Sequence, residues 1–110
     1  MHIILTILFL HWVADFLLQN DNMALNKSSS NFWLSYHIAV YMLPFWVFFG
    51  WRYAFLNAAA HFVVDWCTSR ITKRLWAAQK AHWFFVVIGA DQLLHVATLL
   101  YTGHRMLHSF

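Results

Sequence analysis

The sequence predicts an all-α fold: a single domain, residues 1–110, forming an integral membrane bundle of about four transmembrane helices with a short interfacial amphipathic helix. Three observations lead there. First, 62% of the residues are hydrophobic and only 10% are charged, against about 25% charged in an ordinary soluble domain. Second, the apolar residues gather into stretches close to the roughly 20 residues that a membrane helix needs. Third, the chain has 8 His and 4 acidic residues, and Asp15, Asp65 and Asp91 all lie inside those apolar stretches. A soluble core of this size could not hide so much apolar surface, and disorder is excluded by the same composition.

The first stretch runs from about Met1 to Gln19 and stops at Asn20-Asp21-Asn22. It has no basic leader region and no small-residue cleavage site, so it reads as a retained helix. The second, about 32–50, follows the cap-like Ser28-Ser29-Ser30-Asn31, and Pro44 inside it removes a backbone donor and is expected to kink it. The join Gly50-Trp51-Arg52 leaves room only for a tight antiparallel hairpin. The third stretch, about 52–69, is the weakest span because it holds Asn57, His61 and Asp65; a re-entrant segment is the rival topology. Arg70, Lys73 and Arg74 follow at helical spacing, with Ile71, Leu75 and Trp76 between them, which suits a short helix in the headgroup layer touching anionic lipid. The fourth stretch is about 82–102. The lone Cys67 excludes an internal disulfide and reads as a buried, inert thiol.

Lys and Arg placement orients the bundle. Lys27, Arg70, Lys73, Arg74 and Lys80 fall in the two longer connections, and Arg52 and Arg105 on the other side. The longer connections are therefore expected in the cytoplasm, with Trp33, Trp76 and Trp83 at that interface and Trp51 at the outer one. The basic residues are not interleaved with base-stacking aromatics, so no nucleic-acid partner is expected.

His11 and Asp15 are four apart, as are His61 and Asp65, and Asp91 and His95 repeat the spacing in reverse order. Residues at i and i+4 share a helix face. Because the fourth helix runs opposite to the first and third, the reversal puts all three Asp on the cytoplasmic side and all three His about 6 Å, one turn, further out. His37 falls near the Asp layer. Gln19, Asn57 and Gln92 extend these faces as supporting groups. Each Asp costs about 2.5–3.5 kcal/mol at the bilayer centre, and no intramembrane Lys or Arg is there to pair with it. Imidazole with carboxylate is a ligand set for divalent metal, zinc first and iron or manganese next. The candidate ligands are His11, Asp15, His37, His61, Asp65, Asp91 and His95, enough for two ions or for one ion with hydrogen-bonded support.

At these residues the chain resembles the small bacterial and phage membrane proteins grouped as domain of unknown function 3307. The matching segments are His11-Trp-Val-Ala-Asp15-Phe-Leu-Leu-Gln19 with Lys27, then His37, His61-Phe-Val-Val-Asp65 and Asp91-Gln92-Leu-Leu-His95. Where many members carry a Lys after the second His–Asp motif, this chain has Cys67-Thr68-Ser69 before Arg70. That run and Phe84-Phe85-Val86-Val87-Ile88-Gly89 are similar to the phage-encoded branch. The resemblance implies a multi-pass protein of a bacterial inner membrane and implies no reaction.

Three functions remain open on the residues. The first is a metal-dependent hydrolase acting on a membrane substrate, in which the ion lowers the pKa of a bound water to about 7 and a catalytic carboxylate among Asp15, Asp65 and Asp91 takes its proton. The second is a non-catalytic phage-type effector or accessory subunit of a larger membrane complex. The third is a proton or ion transport element, which at four helices would have to act as a homo-oligomer.

Overall fold

The computed structural model describes residues 2–19 and 29–107. The Asn20-Asp21-Asn22 stop, Lys27, Ser28 and His108 lie outside them. Helix α1 is His2–Trp12 and continues into a π-helical turn, Val13–Leu17. Helix α2 is Asn31–Phe49, α3 is Trp51–Ala77 and α4 is Ala81–Met106. The fold is all-α, with no strand among the described residues.

Each boundary has a local cause. Ser30 caps α2 by accepting from the Trp33 amide at 3.4 Å, and α2 runs unbroken through Pro44. Gly50 separates α2 from α3 at φ 96°, ψ 166°, a backbone region open essentially to glycine alone. The α3–α4 turn closes by paired backbone bonds: Lys80 N–H donates to the Leu75 carbonyl at 2.9 Å and Gln79 N–H to the Trp76 carbonyl at 3.0 Å. This is the Schellman pattern, which places its left-handed residue just past the helix. Here that residue is Gln79, at φ 58°.

The structure departs from the sequence expectation in the basic segment. Among the described residues there is no separate interfacial helix: the run holding Arg70, Lys73 and Arg74 is the last part of α3. Nothing between Arg52 and Ala77 breaks a helix, since the stretch holds neither Gly nor Pro, so the weak third span and the amphipathic segment fuse into one 27-residue helix. The fourth helix also runs one turn beyond Thr102, to Met106.

Neighbours in sequence are neighbours in space. Helix α2 packs on α3, α3 on α4, and α1 lies against both α2 and α4, with α1/α3 and α2/α4 on the diagonals. The contacts show each adjacent pair to be antiparallel. Along α3 from Asn57 to Thr68, the partners on α4 descend from Thr102 to Asp91. From His61 to Arg70, those on α2 descend from His37 to Asn31.

Burial is inverted relative to a soluble domain. His11, Asp15, His37, Asn57, His61, Asp65, Ser69, Asp91, His95 and Thr102 are buried, while Phe9, Phe16, Phe32, Val47, Phe55, Val63, Phe85 and Leu93 are exposed. Apolar packing is concentrated at one end, where Ile7, Leu10, Ala14, Tyr41, Phe45, Tyr53, Ala54 and Leu99 form the main cluster. Cys67, expected to be buried, faces outward. Two helices, Asn31–Phe49 and Ala81–Met106, are long and apolar enough to cross a membrane; Ile3–Leu17 is a shorter apolar helix.

The two strained turn positions predict opposite stability changes. Gly50→Ala meets no atom within 4 Å of its added carbon, so its cost is backbone strain, about 1–3 kcal/mol. Gln79→Gly relieves a left-handed conformation and stabilises by about 1 kcal/mol. Thermal unfolding in detergent should place the melting temperatures of these variants below and above that of the parent protein.

Candidate metal centre

The polar residues of the four helices meet at one level of the bundle. His37 from α2 and His61 from α3 approach through their Nε2 atoms at 3.2 Å. Asp15 of α1 brings Oδ1 to 3.1 Å from His37 Nε2 and 3.6 Å from His61 Nε2. Asp65 Oδ2 lies 3.7 Å from both nitrogens. Each of these two carboxylate oxygens thus lies 3.1–3.7 Å from both imidazole nitrogens. Bonds of about 2.0–2.2 Å around a tetrahedral ion place neighbouring ligand atoms about 3.3–3.6 Å apart. The His37, His61 and Asp65 atoms, 3.2–3.7 Å apart, fit three of the ligands of such an ion without rearrangement of the helices.

Asp91 and His95 of α4 complete the cluster. His95 Nε2 lies 3.1 Å from Asp91 Oδ1. Asp65, Asp91 and His95 form one group able to hold a metal; His37, His61 and Asp65 form another, and Asp15, His61 and His95 a third. All are buried. The His61 ring stacks on His95 at 3.8 Å and on Tyr41 at 4.0 Å between centroids, so the imidazoles are held by a column of rings. Of the expected ligands, six are brought together in these groups.

His11, the seventh, has a different role. Its Nδ1 lies 3.1 Å from the Tyr41 hydroxyl and its Nε2 2.8 Å from Gln92 Oε1. Since an amide oxygen only accepts, Nε2 carries the proton and Tyr41 donates to Nδ1. Both ring nitrogens are therefore committed, and His11 orients Gln92 instead of offering a ligand. The Gln92 amide nitrogen in turn donates to Asp15 Oδ2 at 3.1 Å and Asp91 Oδ2 at 3.2 Å. One neutral side chain thereby separates two carboxylates and turns their remaining oxygens toward the imidazoles.

The other supporting residues divide. Gln19 lines a cavity of about 180 Å3 on the Asp side of the cluster, together with Asp65, Thr68, Ser69, Thr72 and Asp91. Asn57 does not reach the cluster: its amide nitrogen donates to Thr102 Oγ1 at 2.8 Å and to the Tyr53 carbonyl at 3.0 Å, on the apolar side. Sequence reasoning missed Thr68, whose hydroxyl is 2.5 Å from Asp91 Oδ1, and Ser69 and Thr72. Their signal was present, since they follow Asp65 at the three-, four- and seven-residue spacings of one helix face. Arg70 and Lys73 are turned to the start of α2. Arg70 donates to Asn31 Oδ1 at 3.0 Å and lies over the Trp66 ring; Lys73 donates to the Ser29 hydroxyl.

Fold and site together define a helical bundle with a buried His/Asp cluster of metal-ligating type. The chain belongs to the family described as protein of unknown function (DUF3307), whose model matches residues 3–109. No curated protein and no solved structure matches it.

The Tyr41–His11–Gln92 chain predicts coupling. Gln92→Leu removes two hydrogen bonds to carboxylates and should cost about 3 kcal/mol, at the 1.5–3 kcal/mol typical of each. His11→Leu should cost at least about 1 kcal/mol less in the Gln92→Leu background than alone, because its partner is already gone. Denaturant unfolding in detergent at fixed metal content measures both.

Proposed function

We propose that the protein is a four-span membrane protein that binds a divalent metal ion within the bilayer and uses it to hydrolyse a membrane-borne substrate. The observation that carries this reading is the convergence of His37, His61, Asp15 and Asp65 at coordination spacing.

The membrane part rests on the inverted burial. At 1.5 Å per residue, α2 is about 28 Å long and α4 about 39 Å, against a hydrocarbon core of about 30 Å. Helix α1 is shorter and would be matched by local thinning of the bilayer. Helix α3 is too polar to stand alone in lipid, but its polar groups Asn57, His61, Asp65 and Ser69 all face inward. Arg70, Lys73, Arg74 and Lys80 lie at one end and Arg52 and Arg105 at the other, an asymmetry that supports a cytoplasmic first end. With Arg70 and Lys73 bound to α2, anionic headgroup contact falls to Arg74.

The hydrolytic part rests on what surrounds the cluster. The cavity reaches the ligands from the Asp side, and its lining holds polar groups able to position a substrate. A carboxylate beside that cavity that is not spent on the ion accepts the proton of the attacking water. The water's oxygen passes to the acyl or phosphoryl group, and the proton returns to the leaving group. On the opposite side, Ile7, Leu10, Phe45 and Leu99 are packed into the main apolar cluster, which favours a one-mouthed site over a conducting path. Zinc suits the two-imidazole, two-carboxylate set.

Metal content of detergent-purified protein tests the site. The parent chain should retain metal, a chelator should remove it and lower the melting temperature, and Asp65→Asn should fold but bind at least about 100-fold more weakly, beyond the 10–100-fold cost of losing an outer partner. A protein that neither retains nor takes up metal overturns the reading. Topology is tested separately. Single cysteines introduced by Gly50→Cys and Lys80→Cys, in a Cys67→Ser background, should be labelled from opposite faces of the membrane.

A further inference from the structure

The proposed ion uses only part of the cluster. A site of His37, His61 and Asp65 leaves Asp91 and His95 outside it, with His95 only 3% exposed. His95 Nε2 is close to Asp91 Oδ1, at 3.1 Å, yet it makes no aligned hydrogen bond with any described group. Stacking on His61 holds the ring in place. A buried imidazole nitrogen without a hydrogen-bond partner is costly, unless it has another ligand to meet.

That ligand has a place. Asp65, Asp91 and His95 present ligand atoms within 4.8 Å of one another, just as His37, His61 and Asp65 do. The two groups share Asp65 and nothing else. A carboxylate has two oxygens and can serve two cations at once, and paired hydrolytic ions sit about 3.5–4 Å apart.

We infer that the cluster is a two-metal site in which Asp65 bridges one ion held by His37 and His61 and a second held by Asp91 and His95. The inference rests on the metal reading above and extends it to the ligand that the site receives. The cavity beside Asp65 and Asp91 is lined by carboxylate, hydroxyl and amide groups together with Phe16 and Ile88. The second ion brings positive charge to its floor, so the entering group is an oxyanion or a polarised ester oxygen.

The test uses full-length protein in detergent, stripped by chelator and reloaded with Mn2+ or Zn2+. Two ions per chain are expected with either metal, and the Mn2+ form should give an exchange-coupled paramagnetic resonance spectrum, the signature of ions sharing a ligand. His95→Gln and His37→Gln should each bind one ion and show the uncoupled signal of isolated Mn2+. One uncoupled ion per chain in the parent protein with both metals overturns the two-metal inference and leaves the single-ion reading standing. Two ions that are uncoupled overturn the bridge. No bound ion overturns both readings. The parent stoichiometry and spectrum decide the matter even where a variant fails to fold.

Discussion

Three carboxylates are buried at one level of this bundle, and most of the architecture answers that constraint. An unpaired charge in an apolar interior is not tolerated; it is neutralised, paired or bound to a cation. Among the described residues the surrounding groups are imidazole, amide and hydroxyl. Four imidazoles, one primary amide and a threonine hydroxyl surround Asp15, Asp65 and Asp91. Gln92 is central because an amide can donate to two acceptors while accepting from a third group. A lysine in its place would cancel charge but also compete with a cation. A glutamine supports the carboxylates and leaves their charge available.

The topology follows from the same need. The cluster draws on every helix, so the helices must meet at one height. Short joins at Gly50 and at Ala78–Lys80 keep α2, α3 and α4 in register as an antiparallel set. Helix α1 reaches the centre by another device, the π-helical turn that carries Asp15. There Leu18 N–H donates to the Val13 carbonyl at 2.9 Å, a bond one residue longer than in an α-helix. Such turns are rare in helices and frequent at functional sites.

The sequence made the outline of this site legible, and its wiring much less so. Identical i, i+4 spacing in His11/Asp15 and His61/Asp65, and its reversal in Asp91/His95, was enough to place three His–Asp pairs on inward faces. Periodicity cannot show what a side chain touches across a helix interface. It treated His11 as the equivalent of His61, although Tyr41 and Gln92 occupy both nitrogens of His11. It grouped Asn57 with His61, one turn away, although Asn57 turns to Thr102. The basic segment after Ser69 looked like a separate element because composition changes there, but composition does not end a helix when no breaker residue is present. The all-α class was readable from the long apolar stretches, but of the four expected spans only α2 and α4 are long and apolar enough to cross a membrane; α1 is shorter, and the inward polar face of α3 lowers its hydropathy for the same reason that it builds the site.

Polarity along the bundle axis bears on what chemistry is possible. Beyond the imidazoles, on the side away from the Asp residues, the remaining buried polar groups bind one another: the Tyr53 hydroxyl donates to the Leu99 carbonyl at 2.9 Å, and Asn57 joins Thr102. The Tyr41–His61–His95 ring column and the packing of Ile7, Leu10, Phe45 and Leu99 lie at that side. Opening a path there would break buried hydrogen bonds and separate stacked rings. Toward the other end, Thr68, Ser69, Thr72 and Gln19 border a cavity. The bundle is therefore asymmetric about its cluster, with stacked rings and apolar packing directly above it and a cavity bordered by polar groups directly below. That asymmetry is what the proposed hydrolytic reading draws on, since a group can reach the carboxylates from the lower side without parting the rings.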